Sequence, residues 1–206
     1  MRWNGDYGLG KDDGVKKIGS VAALEDFGRV RLSKSFYMRD FLYSDISSFY
    51  GIPNIPEDAD LAVSAGRKLC EELLEPLAAT FGGISIRSAY RSCGVNAYGN
   101  EHKLNCASNE NNYAAHIWDR RDADGCMGTT ACIVVRWFSD RFVSGAADWR
   151  GLAWWIDNHP PYSRLCFFPK LGQPRPSVAR TSAAASIFGV YGLVRTWAPC
   201  LASPFP

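Results

Sequence analysis

A guanidinium, an imidazole and a thiol stand at the ends of apolar runs in the middle of this chain. Arg91 closes Ser88-Ala89-Tyr90-Arg91-Ser92 after the strand-like Ile84-Ser85-Ile86-Arg87, His116 follows on a polar stretch, and Cys132 opens onto Ile133-Val134-Val135. A planar guanidinium takes a carboxylate through two parallel hydrogen bonds, and neutral imidazole and thiolate both suit zinc. Such a set would grip an anionic ligand beside a divalent ion, with Arg91 and Ser92 binding substrate and His116 and Cys132 binding metal. Asp124 competes with Cys132 for the second metal position, because a carboxylate on the loop after His116 can replace the thiol. The bland alternative is a hydrogen-bonded loop His, a packed Cys and a surface Arg closing a turn. No Glu occurs beyond Glu110 and no His beyond His159, although a water-activating zinc site takes a further ligand and a base.

Other polar groupings carry less chemistry. Asp122-Ala123-Asp124-Gly125 fails as a calcium loop because Arg120 and Ala131 stand where acidic ligands belong. His102, Cys106 and Cys126 lack the paired C-x-x-C of a structural zinc site. Arg120 and Arg121, flanked by Asp119 and Asp122, read as a local ion-pair set, and Asp157 and His159 as exposed groups at a helix end. A thiol hydrolase using Cys132 with His116 needs an exposed, electrically favoured thiolate, against which strand burial argues.

The elements that must position these groups follow from periodicity. Residues 1–30 are rich in Gly and Asp and read as a loose lead-in. Ser35 to Leu42 leads into a short helix, and Ile52-Pro53-Asn54-Ile55-Pro56 is a stiff extended connector. Asp58 or Asp60 caps a helix whose Leu69, Leu73 and Leu77 recur with Cys70 and Leu74 alongside, bent near Pro76 and stopped by Gly82-Gly83. Ile84 to Ser88 alternates as a half-buried strand, and Ala131 to Val135 reads as a fully buried one. Between them, residues 96–128 form a long polar excursion without a sustained period. Two amphipathic helices follow, over Trp137 to Phe142 and over Trp149 to Ile156, the second capped by Asp148, with Trp154 and Trp155 as core; Leu165-Cys166-Phe167-Phe168 is a further strand. This mixed order predicts an α+β fold with a small mixed or antiparallel sheet and helices packed on one side.

With 206 residues and 47% apolar content the chain can bury one core. Its 23 basic and 21 acidic residues exert no overall pull on nucleic acid or anionic membrane. No signal peptide or membrane span is visible, so a cytoplasmic monomer is expected, and the seven cysteines read as reduced thiols, Cys70 as a packed core residue. Residues 172–206 contain Arg175, Arg180 and Arg195 but no Asp, Glu or Lys, and form an aberrant low-complexity tail holding the apolar Ile187 to Val194.

At the strand end the chain resembles the zinc D-alanyl-D-alanine carboxypeptidases of the hedgehog/DD-peptidase fold. Ser88-Ala89-Tyr90-Arg91-Ser92 is similar to the family's Ser-Gly-Tyr-Arg-Ser, with Ala89 for Gly, and His116 matches its first metal ligand, with Ala114 for a Ser. Gly128-Thr129-Thr130-Ala131-Cys132-Ile133 fits the following element if residues 117–127 are an insertion, which puts Cys132 at the position of an Asp ligand. The resemblance covers residues 31–171 and extends to a bacterial subgroup carrying His116-Ile117-Trp118-Asp119-Arg120-Arg121-Asp122. It implies a zinc peptidase-like domain over 31–171 acting on peptidoglycan stem peptides, with Arg91 anchoring the terminal carboxylate. The family's Glu and Trp-His pair are missing, which implies an inactive variant or a non-catalytic peptidoglycan- or peptide-binding module. The acid-free run from Gly172 is what a reading-frame slip would leave.

Overall fold

The computed structural model describes residues 18–161; the expected strand at Leu165 to Phe168, the tail from Gly172 and its apolar run at Ile187 to Val194 lie outside them. Helix α1 (Val21–Gly28) falls inside the stretch expected as a loose lead-in. Ser20 caps it by accepting from Ala23 N, and Phe27 anchors it in the core. A single 3-10 turn (Met38–Phe41) and α2 (Asp45–Tyr50) follow, then the extended connector.

The long amphipathic helix is built in three parts. α3 (Ala59–Leu69) starts at Asp58, whose carboxylate accepts from Leu61 N at 2.8 Å. A π-helical segment, Cys70–Leu74, then widens the backbone ahead of α4 (Glu75–Phe81), where Pro76 lacks an N–H and its ring crowds the preceding turn. The apolar stripe survives the adjustment: Leu69, Cys70, Leu73, Leu74 and Leu77 are all buried, Cys70 as expected of a packed thiol.

Strand β1 (Ile84–Ser88) pairs antiparallel with β2 (Cys132–Val135), Ile84 opposite Val135 and Ser88 opposite Cys132. Between Ile86 and Ser88 the register slips, so Arg87 is the extra residue of a bulge. β2 alternates between half-buried and buried positions rather than being buried throughout, because its Cys132 and Val134 face leaves the core. It runs directly into α7 (Arg136–Val143), and α8 (Trp149–Asn158), capped by Asp148, buries Leu152 and Ile156. Trp154, expected in the core, is 65% exposed because it lies off the Leu152 and Ile156 stripe. The described residues thus form an α+β arrangement of helices around a two-stranded antiparallel sheet. Among them, no helix is long and apolar enough to cross a membrane.

The polar excursion is ordered without apolar periodicity. It holds most of α5 (Cys93–Glu101) and α6 (Asn109–Asn112), tied by asparagines: Asn112 Nδ2 donates to Asn96 Oδ1 at 2.7 Å, and Asn96 Nδ2 to Asn109 Oδ1 at 2.8 Å. Asn96 and Asn112 are buried, and their amides satisfy one another.

Candidate functional site

The residues after β1 form a strap bonded on both edges. Alternate backbone groups of an extended chain point to opposite sides, and each side here meets a different partner. On one side Tyr90 N donates to Phe41 O at 3.2 Å, Asn54 Nδ2 donates to Tyr90 O at 3.1 Å, and Ser92 N donates to Asn54 Oδ1 at 2.7 Å. On the other side the loop carrying His116 docks: Arg91 N donates to His116 O at 2.8 Å, and His116 Nδ1 donates to Ala89 O at 2.6 Å. Asn54, held between two X-Pro pairs of the connector, is the brace for this strap.

That docking decides the state of the imidazole. With the proton on Nδ1, Nε2 carries the lone pair, which is the tautomer a metal ligand needs and the backbone contact that usually orients one. His116 is 7% exposed. Burial first, and the nearby Arg91 charge second, push its pKa down to about 4, so the ring is neutral at ordinary pH. Cys132 is half-buried at the start of β2 and sits opposite Ser88, next to the Ala89 that receives the His116 bond. The two expected donors therefore flank consecutive residues of the strap.

The loop between them is closed at its neck. Gly128 lies against Ala114, whose carbonyl oxygen would collide with any Cβ at position 128. Residues 117–127 thus leave and return between neighbouring backbone segments. Trp118 nails it down: its side chain is fully buried, its ring centroid is 5.4 Å from that of Phe41, and Nε1 donates to Thr130 O at 3.3 Å. At the tip, Asp122 Oδ1 accepts from Asp124 N and Cys126 N, and Asp124 is exposed on this turn.

The expected local ion-pair set is not what this loop makes. Arg120 pairs with Glu57, far away in sequence, and Arg121 Nη1 donates to Gly125 O at 3.1 Å. Asp119 is 2% exposed, accepts from Glu57 N at 2.8 Å and faces the buried Tyr90 hydroxyl; burial pushes its pKa up. Arg120 and Asp119 are therefore met across the fold at residue 57, while Arg121 and Asp122 are met by backbone groups of the loop itself.

Arg91 differs from them. It is half-buried, Nη1 donates to Cys106 Sγ and Nη2 to Ser88 Oγ, both at 3.3 Å, and among the described residues no carboxylate lies within ion-pair distance. Its Cys106 contact was invisible in sequence, because the two residues share no periodic element. Ser92 is given to structure: its hydroxyl caps α5 by accepting from Val95 N and donates to Pro53 O at 2.9 Å. His102 is exposed and stacked on Tyr98, and His159 is stacked on Trp155 beyond α8. No set of three or more His, Cys, Asp or Glu side chains able to hold a metal is gathered among the described residues. Compared with known proteins, the chain matches no family model, no curated sequence and no solved structure.

Proposed function

We propose that this chain is a peptidase-type domain of the zinc D-alanyl-D-alanine carboxypeptidase kind, hedgehog/DD-peptidase-like in fold, whose strap site takes the carboxylate end of a peptidoglycan stem peptide. One observation carries the reading: a half-buried guanidinium without a carboxylate partner among the described residues, fixed beside a neutral, buried imidazole in its ligand tautomer. An uncompensated cation at a partly dry site is where a carboxylate binds with two charge-assisted hydrogen bonds.

Zinc, when bound, would polarise the peptide carbonyl and lower the pKa of water. His116 would hold it, with Cys132 or Asp124 as second donor. Two donors fall short of the three protein ligands of a catalytic zinc, and no Glu follows Glu110 to accept the water's proton. Recognition rather than turnover is accordingly the activity we assign: Arg91 holds the terminal carboxylate, and the strap and loop orient the peptide against His116.

Calorimetric titration of the purified chain with diacetyl-L-lysyl-D-alanyl-D-alanine, alongside elemental analysis for zinc and a hydrolysis assay, tests this. Binding that is lost on Arg91→Met supports it. Hydrolysis abolished by a chelator would extend the assignment to an active zinc enzyme, and hydrolysis abolished only by thiol alkylation would replace it with a cysteine hydrolase. A wild-type chain that ignores the peptide sinks it.

A further inference from the structure

Arg91 is held by neutral acceptors at both ends of its guanidinium, and one of these acceptors is itself closely fitted. The Cys106 thiol donates to Leu104 O at 3.7 Å, which leaves the sulfur lone pairs to receive Arg91 Nη1. The Cys106 carbonyl accepts from Asn100 Nδ2 at 2.8 Å. Its sulfur rests on α5 at Gly99, 2.5 Å from where a Cβ would stand, with Ile46 closing the same spot at 2.9 Å. Only glycine at 99 leaves the thiol its place. At the other end, Ser88 is fixed by the bulge that sets it opposite Cys132. The fork thus bridges β1 and the segment linking α5 to α6.

A carboxylate at either position would hold the fork more tightly and would also cancel its charge. A thiol and a hydroxyl fix direction while leaving the positive charge in place. We propose that Cys106 and Ser88 are positioning residues that aim the remaining N–H donors of Arg91, and so make the site prefer a free C-terminal carboxylate over a carboxamide. The inference rests on the reading of Arg91 as the carboxylate anchor. An unheld guanidinium would have to be ordered by the ligand itself, whereas one already pointed loses less freedom on binding.

Two measurements on the full chain separate the failure of this inference from the failure of that reading. The first needs no ligand: the Arg91 Nη resonances in 15N NMR are expected to be distinct in the wild type, to merge through faster rotation in Cys106→Ala and Ser88→Ala, and to separate again in Cys106→Ser. The second compares affinity for diacetyl-L-lysyl-D-alanyl-D-alanine with that for its C-terminal amide. The wild type is expected to favour the acid by about tenfold or more, and Cys106→Ala and Gly99→Ala to lose most of that preference, with Cys106→Ser recovering it. Unchanged Arg91 resonances in both alanine variants, or an undiminished acid preference, overturns the positioning role. Equal binding of acid and amide by the wild type overturns the anchor reading, and the resonances then still decide whether Cys106 and Ser88 hold the fork.

Discussion

Arg91 and Arg120 sit at two corners of the same strap and loop, and the molecule treats them oppositely. Arg120 reaches across the surface to Glu57, a pair with both side chains well exposed to water. Arg91 is drawn inward and given sulfur and hydroxyl acceptors, with no carboxylate among the described residues. Exposed pairs of the first kind contribute little, since solvent screens them and two long side chains must be immobilised. A half-buried cation of the second kind is a standing electrostatic cost that a bound anion relieves. On the reading proposed above, the contrast separates a charge used within the fold from a charge kept for a ligand.

Trp118 anchors the loop that carries both His116 and Arg120, so removing it should erase the difference between the corners altogether. Trp118→Ala is expected to lower stability by about 3–5 kcal/mol, read from the midpoint of denaturant unfolding, and to abolish peptide binding in the remaining folded protein.

The next largest effect is on acid stability and belongs to the Arg91 corner alone. The unfolded imidazole of His116 takes its proton near pH 6.5 and the folded one near 4. Above pH 6.5 neither state is protonated and the group contributes nothing. As pH falls through this window the unfolded state gains the proton first, and stability should drop by roughly 3 kcal/mol. Thermal unfolding measured from pH 7 to pH 4 should show that slope in the wild type and a flatter one in His116→Gln, which removes the titrating group while keeping an amide to meet Ala89 O.

The smallest effects sharpen the comparison directly. Arg91→Met should weaken binding of the acid peptide by about tenfold or more and change stability little. It should also raise the His116 pKa, because the neighbouring positive charge is gone. Arg120→Met should do the reverse, leaving peptide affinity unchanged and costing at most about 1 kcal/mol of stability, with the loss shrinking in high salt. Equal effects of the two substitutions on peptide affinity would erase the distinction.

Much of the scaffold was legible where a local rule governs it. The Asp58 cap, the four-residue recurrence of Leu69, Leu73 and Leu77, the alternation of β1 and the Asp148 cap of α8 each reflect forces acting within a few residues. α1 and α5 escaped notice because short helices with Ser caps and little apolar contrast leave no period to read. The asparagine network escaped for a related reason: amides that satisfy one another look, in sequence, like a solvated loop. At the candidate site, the placement of Arg91 just after a strand and of Cys132 at the start of another was legible from residue type and position. The partners that give those residues their state were not. Asn54, Cys106 and the Glu57 pairing of Arg120 arise from the fold, at separations where local sequence carries no signal.

The pinched base of the loop, where Gly128 meets Ala114, has a practical side. Because the chain comes back to almost the place it left, the outer turn around Gly125 hangs from a sealed doorway, and the entropy of extending it is charged to the turn alone. A fluorophore or epitope spliced in at that tip would ride outside the doorway, leaving the buried indole and the strap where they are.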